Sequence, residues 1–95
     1  MYRCFELFVC FTCVAMMKFA NKSEIELYVI NKVKEMRVEI GLSQAELAHK
    51  LDVSVGFIGH VESPRHRAKY NLNHINSLAK IFNRAFSDFF PSFPL

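Results

Sequence analysis

Two short helices separated by a tight turn are the feature of this sequence that most constrains its fold. Ser43-Gln44-Ala45-Glu46 has the form of a capping box, in which a serine hydroxyl and a glutamate carboxylate each accept the other residue's backbone N–H. Ser54 is a second N-cap residue, and Pro64 prevents a helix from continuing past it. The pattern predicts helices over 44–51 and 55–62. Neither is long enough to be stable without packing partners.

Other helices are predicted on both sides of this pair. A capping box at Ser23 opens a first helix that ends near Gly41, where a left-handed C-terminal cap is expected. A fourth helix runs from Leu72 or Asn73 to Phe82, with Asn83 at its end. Ser87 and Asp88 are expected to cap a short fifth helix that Pro91 stops.

Apolar side chains at three- and four-residue steps predict the core of an all-α, five-helix domain over residues 21–95. No segment of this domain shows the period-2 alternation of a β-strand. The predicted inward positions are Ile25, Val29, Val33, Met36 and Ile40 in the first helix, Ala45, Leu47, Ala48 and Leu51 in the second, Ile58 and Val61 in the third, Leu72, Ile75, Leu78, Ala79 and Phe82 in the fourth, and Phe86, Phe89 and Phe90 in the fifth.

The arrangement of the second and third helices is typical of a helix-turn-helix, whose second helix presents its N-terminal residues to DNA bases. The octapeptide from Gly41 to Ala48, followed by Val53-Ser54 and by the segment from Ile58 to Glu62, resembles the phage repressor/Cro family, also called the xenobiotic-response-element family. With the last two helices, the resemblance covers about residues 25–90. It implies a lambda-repressor-like domain that binds double-stranded DNA sequence-specifically in the major groove and regulates transcription as a repressor.

The resemblance also implies which side chains contact DNA. Gln44 matches a position that contacts the phosphate backbone and often a base. The first residues of the third helix match base-reading positions, and His60 matches one a turn further on. Gly56 and Gly59 would permit close approach to phosphates. The predicted DNA-contact residues of the third helix and its cap are Ser54, Val55, Gly56, Phe57, Gly59 and His60.

Arg37 and Glu62 match a pair that ties the first helix to the end of the third. Each is a charge in a largely apolar stretch, and a bidentate Arg–carboxylate bond suits a partly buried site. The alternative is two independent surface charges.

Positive charge is concentrated after the third helix. Residues 63–87 contain five Lys or Arg and no acid, whereas residues 21–62 contain five against seven acids. Within the loop 64–71, Arg65, Arg67 and Lys69 are predicted to contact phosphates without reading sequence. A solvated basic face with no partner stays open as the alternative.

The third helix is poor in hydrogen-bond donors for direct base readout, which leaves other functions open. The alternatives are an antitoxin-like regulator that also binds a protein partner, and a protein-interaction module with weak DNA binding. An enzyme is not expected, because the four histidines have no Asp or Cys partner at catalytic spacing and no phosphate-binding glycine loop occurs. No cofactor and no metal site are expected. His49 is predicted to face solvent, and His60, His66 and His74 the DNA.

A homodimer is the expected form, since one small helix-turn-helix reads only a few base pairs. The C-terminal residues Phe93, Pro94 and Leu95 are the predicted dimer surface, because no core position is evident for them. The expected location is the cytoplasm, in association with the nucleoid.

Residues 1–20 form an apolar leader that differs from everything after it. Its apolar run is too short for a normal membrane span, and Met17 could serve as an internal start. An over-long start is favoured over an extra structural element, a dimer contact or a membrane signal. Cys10 and Cys13 have the spacing of a metal or redox pair, but no second pair follows. No membrane contact is expected unless the leader is translated and functional.

Overall fold

The computed structural model describes residues 22–95, so the leader and its cysteines lie outside the described residues. Four α-helices and one 3-10 turn make up this part of the chain, and no strand occurs in it. The helices are α1, Glu24–Glu39; α2, Gln44–Leu51; α3, Val55–Glu62; and α4, Leu72–Phe82. The 3-10 turn, Phe86–Phe89, follows α4. The prediction of an all-α domain is confirmed.

The helix starts follow from local hydrogen bonds. The Ser23 and Ser43 capping boxes are both complete, and the Ser54 hydroxyl accepts from the backbone N–H of Phe57 at 3.0 Å. Asn71 opens α4 in a capping box that sequence reasoning missed: its side chain accepts from the backbone N–H of His74 at 2.8 Å, and Nδ1 of His74 accepts from that of Asn71 at 3.2 Å. Each cap satisfies N–H groups that the helix itself leaves unpaired.

Two left-handed residues and one glycine end the helices. Asp52 after α2 has φ 63°, and Asn83 after α4 has φ 54°, as predicted for Asn83. Gly41 has φ 79°, a backbone conformation that glycine adopts without the steric penalty of a Cβ. These turns set short connections, so α2 and α3 pack directly on each other.

The core lies where α1, α2, α3 and α4 meet. α2 contacts both α3 and α4, α1 packs on α3, and the 3-10 turn packs on α1 and α4. Phe89, which is fully buried, is the largest side chain of this core. The main buried cluster comprises Val29, Val33, Met36, Leu47, Ala48, Leu51, Ile58, Ile75, Leu78 and Phe89.

The predicted fifth helix is wrong in detail. Its place is taken by a single 3-10 turn that begins after Ala85, whose backbone N–H donates to Asp88 Oδ2 at 3.3 Å, and not after Ser87-Asp88. The backbone hydrogen bonds there are of the i to i−3 type, from Asp88 N–H to Ala85 O at 3.0 Å and from Phe90 N–H to Ser87 O at 3.4 Å. Only Phe89 of the three predicted phenylalanines enters the core, and Phe86 and Phe90 are exposed.

The ends of the predicted apolar stripes are also wrong. Ile25, Ile40 and Leu72 are exposed, as is Ala45 in the first turn of α2. Ile25 and Leu72 lie in the first turns of α1 and α4, and Ile40 lies beyond the last residue of α1. The three- and four-residue spacing of apolar side chains continues to the helix ends. Packing against neighbouring helices is concentrated at the middle turns of α1 and α4.

Candidate nucleic-acid interface

α2 and α3 form the two-helix unit on which the predicted site is built. The left-handed Asp52 ends α2, the backbone N–H of Val53 donates to Ala48 O at 3.0 Å, and Ser54 starts α3. Leu47, Ile58 and Val61 are fully buried and pack the two helices onto the core. The opposite side of α3 is therefore presented outward.

The first turn of α3 is open to solvent. Ser54, Val55 and Gly56 are exposed, with 52% of the Val55 surface accessible. Among the described residues, no atom outside the local helix lies within 4 Å of the position that a Cβ on Gly56 would occupy. This turn can approach another molecule without displacing any part of the protein.

Phe57 is placed differently from its neighbours. Its ring is half-buried against α4 and the preceding loop, with ring centroids 5.1 Å from His74 and 6.3 Å from Tyr70. The edge-on contact with Tyr70 is a favourable aromatic geometry. Phe57 therefore packs the base of the exposed turn, while Val55 and Gly56 form its outer surface.

Arg37, Gln44 and Glu62 meet where α1, α2 and α3 converge. Nε and Nη2 of Arg37 donate to the two carboxylate oxygens of Glu62, each at 3.0 Å, and Nη1 donates to Leu42 O at 2.8 Å. The side chains of Arg37 and Glu62 are only 10% and 4% exposed. Both charges are thus paired and hydrogen-bonded away from water, the condition under which a buried ion pair is tolerated.

Gln44 is held by this ion pair. Its Nε2 donates to Glu62 Oε1 at 2.9 Å, and its Oε1 lies 3.6 Å from the position of a Cβ on Gly59. A Cβ at Gly59 would be in ordinary van der Waals contact with this amide oxygen. The structure therefore brings Gln44, Gly59 and Glu62 together at one junction.

The basic residues after α3 do not form one uniform surface. Arg65 and Arg67 are exposed in the loop, but Lys69 Nζ is ion-paired with Glu26 Oε2 at 3.1 Å. Arg84 is likewise paired with Glu39 at 3.2 Å. Acids of α1 thus partly neutralise the positive charge of Lys69 and of Arg84.

The histidines fall into three environments. His49 is exposed on α2, and His74 is half-buried beside Phe57. The rings of His60 and His66 are parallel, with an interplanar angle of 3° and centroids 4.0 Å apart. This stack joins the outer surface of α3 to the loop that follows it.

Burial beside Phe57 lowers the pKa of His74 below its usual value. The pKa of His66 is also lowered, chiefly by desolvation and then by the positive charges of His60, Lys22 and Arg67. In both residues Nδ1 accepts a backbone N–H, of Ala68 for His66 and of Asn71 for His74. These contacts favour the neutral imidazole, since a protonated Nδ1 cannot accept.

Two further residues of this region could not be predicted from local sequence patterns. Lys22, just before the cap of α1, is buried with its ammonium at the end of α3. The hydroxyl of Tyr70 is buried with no hydrogen-bond partner among the described residues. Burial raises the pKa of Tyr70, and the charge of Glu62 adds to the effect.

Residues 22–95 contain no metal-ligand cluster and no membrane-spanning helix. No three His, Cys, Asp or Glu side chains there are close enough together to hold a metal ion. None of the helices in that range is both long and apolar enough to cross a bilayer. Cys10 and Cys13, which have the spacing of a metal or redox pair, lie outside the described residues.

Comparison with known proteins decides the family. A family model described as helix-turn-helix matches residues 33–89, which includes α2, α3, α4 and the 3-10 turn. The chain belongs to the Cro/C1-type helix-turn-helix family. A search of curated proteins found no match.

A solved structure agrees with this family assignment. The restriction-modification controller protein C.AhdI from Aeromonas hydrophila is 28% identical, and the match covers 67% of this chain and 96% of that one with a TM-score of 0.57. The helix-turn-helix family and this regulator support DNA binding and transcriptional regulation for the chain, and neither indicates an enzyme.

Proposed function

We propose that this helix-turn-helix protein binds double-stranded DNA sequence-specifically, with α3 in the major groove, and represses transcription. The observation that carries the proposal is the exposed first turn of α3, held at a fixed angle to α2 by the Arg37–Glu62–Gln44 junction. In this docking mode the N-terminal residues of the second helix of the motif approach base edges.

The contacts divide into two classes. Val55 and Gly56 would approach bases, with Val55 suited to thymine methyl groups, and His60 would lie one turn further along the groove. Gln44, Ser54 and Gly59 would lie near the phosphates, and Phe57 supports the turn from beneath. Arg65, Arg67 and Lys69 would contact phosphates without reading sequence.

Footprinting of the tagged protein across its genome, followed by salt-dependent binding to a recovered duplex and a scrambled duplex, tests this function. We expect the recovered duplex to bind about 10³-fold or more tightly than the scrambled one, and both affinities to fall steeply with salt. A reporter fused to the recovered site should be repressed by the protein. Equal affinity for both duplexes would refute sequence-specific binding, and activation of the reporter would refute repression.

We further propose that the protein acts as a homodimer in the cytoplasm, associated with the nucleoid. The C-terminal residues Phe93 and Leu95 are 79% and 62% exposed, and Leu72 and Phe90 add apolar surface near the start of α4. Large apolar side chains that are exposed at neighbouring positions of the chain, as Phe93 and Leu95 are, are candidates for an interaction surface. A two-fold axis would place two α3 helices at half-sites about one helical turn apart.

Two shortened chains test whether the dimer contact is the C-terminal segment or the leader. One is truncated after Pro91 and the other begins at Met17. We expect the truncation to lower the affinity for the recovered duplex and the fraction of dimer in sedimentation equilibrium, while thermal stability stays nearly unchanged. The chain from Met17 should remain dimeric. A 1:1 complex with every recovered duplex would refute the homodimer.

A further inference from the structure

Lys22 connects the residues before α1 to the end of α3. Its Nζ donates to Val61 O at 2.7 Å, to His60 O at 3.3 Å and to Ser63 O. The residue is only 7% exposed, although it precedes the N-cap of the first helix. Its partners are 38 to 41 residues away in sequence.

The chemistry of this contact suits the end of a helix. The last carbonyls of an α-helix lack intrahelical partners and carry partial negative charge. An ammonium has three N–H donors, and these three carbonyls match that number. Burial, and to a smaller extent the charge of Lys69, lowers the pKa of Lys22, while Glu26 opposes the shift.

One of the carbonyls that Lys22 binds belongs to His60, a proposed DNA contact, and the others belong to residues close to it. His60 is exposed on α3 and stacks on His66. Ser63 O accepts both from Lys22 and from the backbone N–H of His66, the latter at 3.2 Å. Arg65 and Arg67 lie on either side of His66. The ammonium therefore fixes the backbone from which these side chains extend.

Two tethers from the region of α1 thus reach the end of α3. Arg37 holds the side chain of Glu62, and Lys22 holds the main chain on both sides of it. The Arg37 tether is implied by the family resemblance, whereas the Lys22 tether comes from a residue outside the matched range 33–89.

We propose that Lys22 is a positioning residue for DNA binding, which fixes the C-terminal end of α3 and the start of the loop without contacting DNA itself. This inference rests on the proposed DNA-binding function.

The test compares full-length variants in duplex binding over a series of salt concentrations. Lys22→Met and Lys22→Gln remove the charge, Lys22→Arg retains it, and Lys34→Met removes a charge from the exposed face of α1. We expect both neutral variants to bind about tenfold more weakly with an unchanged salt slope, because a buried ammonium displaces no counterions from DNA. Lys22→Arg should recover most of the affinity, and Lys34→Met should bind as the wild type does.

Amide hydrogen exchange without DNA provides a second measurement. We expect the amides of Ser63 and His66 to exchange faster in Lys22→Met, while those of Leu47 and Leu78 in the core change less. A salt slope lowered by about one unit would show a direct phosphate contact and overturn the proposal. Unchanged affinity with unchanged exchange would overturn it too. A wild-type chain that binds no duplex refutes the DNA-binding function, and exchange at Ser63 then decides whether the tether exists.

Discussion

Gln44 and Glu62 join the first turn of α2 to the last turn of α3 through a hydrogen bond of 2.9 Å between Nε2 and Oε1. Glu62 receives Arg37 through the same oxygen and through Oε2. One carboxylate therefore sets the position of three helices relative to one another. The angle between the two helices of the motif depends on a charge that is almost fully shielded from water.

Removal of Arg37 is expected to destabilise the fold, because it leaves the Glu62 carboxylate buried without its cation. We expect Arg37→Ala to lower the free energy of unfolding by about 2–4 kcal/mol. A double-mutant cycle with Glu62→Gln, measured by urea denaturation, isolates the pair. The exposed pair Lys32–Glu35 is the control, with a coupling energy below about 0.5 kcal/mol. Coupling for Arg37–Glu62 as small as in this control would contradict the prediction.

The basic loop is expected to determine the salt dependence of DNA binding. Alanine at Arg65, Arg67 and Lys69 together should weaken specific and random duplexes alike and flatten the salt slope by up to about 3 units. Lys69→Ala alone should change the slope by less than about 1 unit, because Glu26 already neutralises part of its charge. Arg84→Ala, which removes the partner of Glu39, is the control. An unchanged slope in the triple variant would place the loop away from DNA.

Acidification is expected to destabilise the cap of α4. The pKa of His74 is lower in the folded chain than in the unfolded chain, so its contribution to stability is complete above the unfolded value and is lost as pH falls toward the folded value. The urea midpoint of the wild type should therefore fall as the pH is lowered from about 7.5 to about 5.5.

Substitution at position 74 identifies the source of this pH dependence. Glutamine is common at the N3 position of a capping box, which His74 occupies, and it does not titrate, so His74→Gln should keep the cap and reduce the pH dependence. The pH dependence that remains in this variant should come from His66, whose pKa is lowered as well. His49→Gln on the exposed face of α2 is the matched control. Equal pH dependence in His74→Gln and wild type would contradict the assignment.

Removal of the Tyr70 hydroxyl is expected to stabilise the protein. The group is buried without a hydrogen-bond partner among residues 22–95, and a buried unsatisfied polar group costs about 1–3 kcal/mol. Tyr70→Phe keeps the ring contact with Phe57 and should raise the free energy of unfolding by about 1 kcal/mol. Tyr28→Phe on α1 provides the control. A loss of stability in Tyr70→Phe would mean that the hydroxyl has a partner in solution.

Most of the helix boundaries could be predicted because the contacts that set them are local. Ser23, Ser43 and Ser54 each accept a backbone N–H from a residue three positions later, and such spacing is visible in the sequence. The fifth helix could not be predicted correctly, because the choice between an α-helix and a 3-10 turn depends on packing against α1 and α4.

The site could be predicted only where the family resemblance supplied long-range information. It paired Arg37 with Glu62, two residues 25 positions apart, and the structure places them in bidentate contact. The burial of Lys22 and the packing of Phe57 under Tyr70 have no local signature. Both depend on how α3 and the loop after it are oriented, and the spacing of apolar residues within each helix does not specify that orientation. The assigned DNA contacts remain predictions.

The open space around Gly56 makes this turn of α3 a natural position for changing which DNA sequence the protein prefers. A Cβ at this position would meet no atom of residues 22–95 within 4 Å, and residues with a side chain lose less conformational freedom in a helix than glycine does. Arginine, asparagine or glutamine at this position would add the donors that this surface lacks. Binding preference could then diversify by substitution at one residue, with the core and the three-helix junction left intact.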